Sequence, residues 1–148
     1  MDIIDQIEHD FLNAFKAREE LKTQTLRLLK SAIKNKEIAI GKKPTSEEVI
    51  QIIAREVKQR KDSAEEYTKG NRPELAEKEK EEIEILKVYL PEQLSKDEIA
   101  KIIEDTISAL KATSAKDMGR VMAEVMPKLK GKADGTMVSE LVKEKLIK

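Results

Sequence analysis

The sequence lacks cysteine and tryptophan, and aromatic side chains are scarce throughout. Two Phe, two Tyr and one His occur among 148 residues. Without cysteine the chain can form neither a disulfide framework nor a thiolate metal site, and it has no thiol nucleophile. So few aromatic rings also argue against a base-stacking platform of the kind found in single-strand-binding proteins. These absences exclude several common classes of functional site.

Long hydrophobic runs are missing as well. No apolar stretch approaches the roughly 18 residues that a membrane span needs. The first residues, MDIIDQIEHDF, carry acidic side chains instead of the positive flank and apolar core of a signal peptide. The sequence therefore predicts a cytoplasmic protein that does not bind membranes.

Residue types that perform catalysis show no organised pattern. His9 stands between Glu8 and Asp10 in a helical segment, where an exposed side chain is the simpler interpretation. The serines fall at helix starts or within helices without a recognisable base, and no histidine cluster or calcium loop offers a metal site. We expect no catalytic residue, no metal and no cofactor in this chain.

Charge is plentiful and balanced in sum, with 29 basic and 29 acidic residues. Its distribution is uneven: residues 14–43 hold nine Lys or Arg against three Glu, and residues 111–148 hold nine basic against five acidic residues. Between them, residues 74–105 hold eleven Asp or Glu against five Lys. Each basic region is either a solvated helical face or a surface for an anionic partner.

Apolar residues recur at helical spacing along nearly the whole chain. Capping-box patterns at Thr45 and Ser95 predict two helix starts, and Pro91 is expected to end a helix. The sequence predicts an all-α fold with an N-terminal region of about four helices, two of them long, followed by a compact three-helix tail unit. We place the domains at residues 1–94 and 95–148.

The segment 118–146 contains two short helical patterns joined by a basic connector. Met118, Met122 and Met126 share one helix face, which favours a core stripe over a partner groove. Pro127 is expected to prevent simple continuation of that helix. Asp134 is expected to cap the next one, which buries Val138, Leu141, Val142 and Leu146.

Lysines alternate through the connector at Lys128, Lys130 and Lys132, and Gly131 and Gly135 permit unusual backbone angles. Such a segment can follow a phosphate backbone and position a nucleic acid without reading its sequence. An anion at the helix start itself would compete with a capping Asp134. The candidate RNA-binding residues are Lys116, Arg120, Lys128, Lys130, Gly131 and Lys132.

Three segments resemble the YqeY family: LLKSAIKNKEIAI, KQRKDSAEEYTKGNRPELAEKEKEEIEILKVYLPEQLS and MGRVMAEVMPKLKGKADG. The resemblance covers residues 2–146. This family is similar to the helical and tail region of the B subunit of glutamyl-/aspartyl-tRNA amidotransferase. The resemblance implies an all-helical, two-part fold whose second part resembles the amidotransferase tail and faces tRNA. It also implies that this chain lacks the domain with which the amidotransferase performs transamidation.

The match to the amidotransferase tail lies in residues 125–133, where Val-Met is followed by a Gly-Lys-Ala turn. The chain departs from the tail pattern at Pro127 and at Asp134-Gly135. Three hypotheses remain open. The protein is a non-catalytic tRNA- or structured-RNA-binding protein, an accessory component of a glutamine-dependent carbon–nitrogen ligase that acts only in a complex, or a protein-interaction module.

Overall fold

The computed structural model of the protein describes residues 2–129 and 131–147. Over these residues the chain is helical and contains no strand, which confirms the predicted all-α class. It divides into two compact units, an N-terminal unit (Met1–Leu90) and a C-terminal unit (Pro91–Lys148). The boundary that we placed between residues 94 and 95 lies a few residues further along the chain.

Four helices form the N-terminal unit: α1 (Ile3–Lys16), α2 (Glu20–Ile40), α3 (Ser46–Lys69) and α4 (Pro73–Lys87). The predicted capping box opens α3, because the Glu48 amide donates to Thr45 Oγ1 at 3.2 Å and the Thr45 amide donates to Glu48 Oε1 at 3.0 Å. Gly41, with φ +74°, ends α2 in the left-handed conformation that glycine adopts without strain.

The end of α4 differs from the prediction, which placed it at Pro91. The helix stops at Lys87, and a tighter turn follows. There the amides of Tyr89 and Leu90 donate to the carbonyls of Leu86 and Lys87 at 3.2 and 3.0 Å. Such i-to-i+3 bonds commonly satisfy the last carbonyls of a helix, so the chain leaves the α conformation before the proline forces it to.

An aliphatic core holds these four helices together. Its buried members are Ile7, Leu26, Leu29, Ile33, Val49, Ile53, Val57, Ile83 and Leu86. Burial of each such side chain contributes about 1.5–3 kcal/mol. Phe15, which belongs to the apolar pattern of α1, stays outside this core with 60% of its surface exposed.

A partly buried ion-pair cluster joins α3 to α4. Arg60 Nε donates to Glu82 Oε2 at 3.0 Å, and Arg60 Nη1 donates to Glu56 Oε2 at 2.7 Å. Only 10% of the Arg60 side chain and 14% of the Glu82 side chain are exposed. Burial, with the negative charge of Glu82 close by, raises the pKa of Glu79. Glu82 therefore does not lie on a solvated face like a typical charged helical residue, and its buried carboxylate is compensated by Arg60.

Tyr89 connects the end of α4 to α1. Its hydroxyl donates a hydrogen bond to the carboxylate of Asp10, whose other oxygen accepts from Gln6 Nε2 at 2.9 Å. Burial and the bond to Asp10 both raise the pKa of the Tyr89 hydroxyl well above its ordinary value. The contact closes the N-terminal unit across 79 residues of sequence.

The C-terminal unit consists of α5 (Lys96–Leu110), a 3₁₀ turn (Ala115–Asp117), α6 (Met118–Leu129) and α7 (Gly135–Ile147). Its buried core is Ile99, Ile103, Val121, Val125, Leu129, Val138, Leu141, Val142 and Leu146. Met118, Met122 and Met126 are partly buried against this core, which confirms the predicted core stripe.

Pro127 lies inside α6, so the prediction that it prevents continuation of the helix is wrong. A proline removes the one hydrogen bond that its own amide would donate to the carbonyl four residues earlier. Because Pro127 stands in the last turn, the loss is confined to that bond and the helix continues to Leu129.

Substitution of Tyr89 by Phe removes the hydrogen bond to Asp10 and leaves the ring in place. We expect the free energy of unfolding at pH 7 to fall by about 1.5–3 kcal/mol, the range for hydrogen bonds to charged groups. The folded-state pKa of this tyrosine is raised, so its contribution is complete below the unfolded pKa of about 10 and is lost at higher pH. Urea unfolding monitored by circular dichroism at several pH values measures both effects.

Tyr67→Phe is the matched control, because the hydroxyl of this helical tyrosine makes no hydrogen bond to a described residue. It should change stability by less than about 0.5 kcal/mol. If both substitutions lower the free energy of unfolding equally, the hydrogen bond between Tyr89 and Asp10 does not stabilise the protein beyond the effect of removing any tyrosine hydroxyl.

Candidate nucleic-acid interface

The basic connector forms a tight turn between α6 and α7. Lys128 lies in the last turn of α6, and Gly131 follows with φ +77°. The amides of Lys132 and Ala133 donate to the carbonyl of Leu129 at 2.9 and 3.1 Å, which closes the turn. We call residues 128–133 the connector turn; Lys130, one of the predicted contacts, lies outside the described residues.

Residues 91–94 fix this turn from outside. Gln93 Nε2 donates to the Gly131 carbonyl at 2.7 Å and to the Pro91 carbonyl at 2.9 Å. The Leu94 amide donates to the Lys132 carbonyl at 3.0 Å. The sequence reasoning missed Gln93 and Leu94, because nothing local in the PEQL stretch signals a bond across 38 residues.

Asp134 caps α7 as predicted. Its Oδ1 accepts a hydrogen bond from the Thr136 amide at 3.0 Å. This carboxylate therefore occupies the helix start that would otherwise attract an anion. Gly135 lies in the first turn of α7 and has no positive φ, so the expected unusual backbone angle occurs at Gly131 and not at Gly135.

The lysines of the connector turn face a mixed electrostatic environment. The side chains of Lys128 and Lys132 are exposed, and neither forms an ion pair with a described residue. Lys128 also borders a shallow groove of about 360 Å³ between α5 and α6, together with Asp105 and Glu124. These two carboxylates weaken the attraction that Lys128 exerts on a phosphate.

Arg120 and Lys116 lie at the other end of α6. Arg120 Nη2 donates to the Leu110 carbonyl at 3.1 Å and pairs with Asp117 at 3.4 Å. Lys116 is exposed in the 3₁₀ turn. Eight residues of α-helix separate Arg120 from Lys128 by about 12 Å along the axis. Arg120 therefore helps to close the C-terminus of α5, and the structure does not gather all the candidate residues into one cluster.

Asp117 organises this second region. Its Oδ2 accepts hydrogen bonds from the Thr113 amide at 2.9 Å and from the Ser114 amide. The Thr113 bond is the main reason why the pKa of the Asp117 carboxyl lies below its usual range. Since a carboxylate holds it in place, Arg120 has less freedom to turn toward a phosphate than an unpaired arginine has.

The residue types of catalysis and metal binding remain dispersed. The exposed His9 ring hydrogen-bonds to Asn13 Nδ2 at 3.1 Å. Within residues 2–129 and 131–147, no group of three His, Asp or Glu side chains could hold a metal ion. In the same part of the chain, no helix is long and apolar enough to cross a membrane.

The fold and the connector turn together define a small, all-α protein made of two helical units. The sequence model of the Yqey-like protein family matches residues 4–146, and the chain belongs to this family. The resemblance to the YqeY family is thereby confirmed.

The chain is also similar to fungal proteins named altered inheritance of mitochondria protein 41, mitochondrial. The one from Lachancea thermotolerans is 42% identical over 91 residues, which cover 61% of this chain and 49% of the relative. The one from Saccharomyces cerevisiae is 32% identical over 125 residues, covering 80% of this chain and 68% of the relative. The chain thus spans about half the length of the Lachancea relative that it matches.

These relatives correct the predicted location. We expected a cytoplasmic protein, whereas the relatives bear the names of mitochondrial proteins. The prediction depended on the acidic character of the first residues and on the scarcity of long apolar runs. Neither feature distinguishes the cytoplasm from the mitochondrial interior, because both are aqueous compartments with similar demands on a folded surface.

Gly131→Ala should destabilise the C-terminal unit, because the left-handed conformation costs a residue with a Cβ about 1–2 kcal/mol. Gly119→Ala is the matched control. Gly119 lies in α6, and a Cβ added there meets nothing within 4 Å, so alanine should stabilise the protein by up to about 1 kcal/mol. Urea unfolding of the two variants measures the contrast, and an unchanged stability of Gly131→Ala would contradict the assigned role of Gly131.

Proposed function

We propose that this protein is a non-catalytic accessory protein that binds tRNA or another structured RNA through the connector turn. The supporting observation is the combination of a fixed backbone with free cations. Gln93 and Leu94 hold the turn, while the ammonium groups of Lys128 and Lys132 make no ion pair with a described residue. A fixed backbone lowers the entropy cost of binding.

Recognition would proceed through phosphates and shape. Lysine ammonium groups neutralise phosphates without discriminating between bases. Beside Lys128, the carboxylates of Asp105 and Glu124 can accept hydrogen bonds from ribose 2′-hydroxyls, which DNA lacks. This arrangement favours RNA over DNA in the proposal, and it gives the acidic neighbours of Lys128 a role.

Two further considerations support an accessory role. The resemblance of the connector turn to the amidotransferase tail supports tRNA as the first RNA to test. His9 hydrogen-bonds only to Asn13 among the described residues, and Ser95 and Ser114 act as helix caps. These side chains are therefore engaged in local structure and do not face a base or a substrate pocket.

Charge reversal of the connector turn tests the proposal. Filter binding of the full chain to total tRNA and to mitochondrial tRNA, with duplex DNA as the comparison, should show tighter binding to tRNA. If the three lysines of the connector turn neutralise about three phosphates, log K should fall with log salt at a slope of about −2 to −3. Lys128→Glu with Lys132→Glu should weaken tRNA binding at least tenfold and reduce the slope by about two.

The matched control carries the same charge change elsewhere in the C-terminal unit: Lys101→Glu on α5 with Lys143→Glu on α7, both exposed positions. It should retain most of the affinity. Equal losses in both double variants would indicate a nonspecific charge effect, and unchanged binding in the first would exclude the connector turn as the RNA contact.

A further inference from the structure

A groove between α1 and α2 combines an apolar floor with a charged rim, in which three cations (Arg27, Lys30 and Lys34) outnumber two carboxylates (Glu8 and Glu37). Its volume is about 480 Å³, and Ile4, Ile7, Phe11 and Ile33 form the floor. We call it the α1–α2 groove. It belongs to the N-terminal unit and shares no residue with the connector turn.

Cations of α2 line the rim at helical spacing. Arg27, Lys30 and Lys34 recur at i, i+3 and i+7, which places them along one side of the helix. Arg27 Cζ lies 5.5 Å from the centroid of the Phe11 ring, and Lys30 Nζ lies 4.2 Å from it. The ring therefore orients two positive charges at the edge of the apolar floor.

The three cations of the rim differ in the ion pairs that they form. Lys30 pairs with Glu8 at 2.6 Å, and Lys34 makes a longer contact of 3.6 Å with Glu37 on the surface. Arg27 makes no ion pair with any described residue. An incoming carboxylate would thus find one unpaired guanidinium and one weakly paired ammonium group on the same side of the groove.

The apolar surface continues beyond both ends of the groove. Phe15 stacks on Phe11 with ring centroids 6.3 Å apart, and it remains 60% exposed. At the other end, Ile38 follows the lining residues of α2 and is 69% exposed. Isolated exposed hydrophobic residues are ordinary, but a row of them along one groove indicates a binding surface.

The dimensions and chemistry of this surface fit a helix. From Ile4 to Phe15, α1 rises about 16 Å, which equals about three turns of a docked helix. An apolar stripe would cover the floor, and carboxylates beside that stripe would meet Arg27 and Lys34. An RNA backbone could satisfy the cations but would leave the aliphatic floor without an apolar partner.

A second copy of the chain fits less well. Two α1–α2 grooves facing each other would bring together two rims of net positive charge, because three cations outnumber two carboxylates in each. Outside the groove and its two ends, the exposed large hydrophobic residues among the described ones are Leu12 on α1, Leu28 on α2, Val88 and Ile147. We propose that the α1–α2 groove binds an amphipathic helix of a different protein, one that carries acidic residues beside its apolar stripe.

A fluorescein-labelled peptide of about 14 residues tests this proposal, with Leu at i, i+3, i+7 and i+10 and Glu on both flanks. Fluorescence anisotropy with the full chain should give a micromolar Kd. Arg27→Glu with Lys34→Glu should raise the Kd at least tenfold. Ser31→Arg, which adds a positive charge but places a long side chain at an exposed lining position, should also weaken binding if the peptide must reach the apolar floor.

The control variant is Lys22→Glu with Lys61→Glu, the same charge change at exposed positions of α2 and α3 outside the groove. It should bind as the unaltered chain does, and circular dichroism should show that all variants keep their helicity. The proposal fails if the peptide does not bind or if a Lys-for-Glu peptide binds equally well. It also fails if changes in amide chemical shifts place the bound peptide outside α1 and α2, or if tRNA displaces the peptide. Loss of self-association in the charge-reversal variants, with peptide binding unchanged, would show that the groove binds a second copy of the chain and would overturn the proposal.

Discussion

Burial of aliphatic side chains is the constraint on which the rest of this structure depends. Every helix carries a stripe of Ile, Leu or Val, and the chain has almost no aromatic side chains with which to fill space. Helices must therefore pack closely to remove these stripes from water. Each unit buries its stripes in a core of its own. Units of this size bury a modest fraction of their surface, so single polar links between helices matter for stability. Arg60 and Tyr89 provide such links in the N-terminal unit.

Burial of aliphatic side chains also explains why the connector turn and the α1–α2 groove differ in chemistry. In the C-terminal unit most apolar side chains are buried in the core, and the connector turn offers backbone rigidity and exposed lysines. In the N-terminal unit the pair α1 and α2 leaves part of its apolar surface uncovered, from Phe15 to Ile38. A polyanion suits the first surface and an amphipathic helix suits the second. If both proposals hold, the protein binds an RNA through one unit and a protein helix through the other.

The success of the helix predictions follows from the short range of capping. Thr45 with Glu48, Ser95 with Glu98, and Asp134 with Thr136 satisfy amides within four residues, so the sequence pattern contains all the partners. Pro127 was misjudged because a proline removes only its own amide donor, and the helix continues through Lys128 to Leu129 despite that loss. The candidate site was predicted less well. The sequence indicated that Lys128 and Lys132 are exposed. It did not indicate the contacts that come from other elements: the bonds from Gln93 and Leu94, the carboxylate of Asp105 near Lys128, and the bond from Arg120 to the Leu110 carbonyl.

By itself the sequence determined the all-α class, most helix boundaries, the two aliphatic cores and the membership in the YqeY family. These properties arise from periodicity, capping and composition, which act over a few residues or are summed over the chain. Only the tertiary structure decided which charges are free. Glu82 is buried beside Arg60, Arg120 is held by Asp117 and the Leu110 carbonyl, and Arg27 faces an open apolar groove. Electrostatic character at a site depends on neighbours that are distant in sequence, and only the fold brings them together.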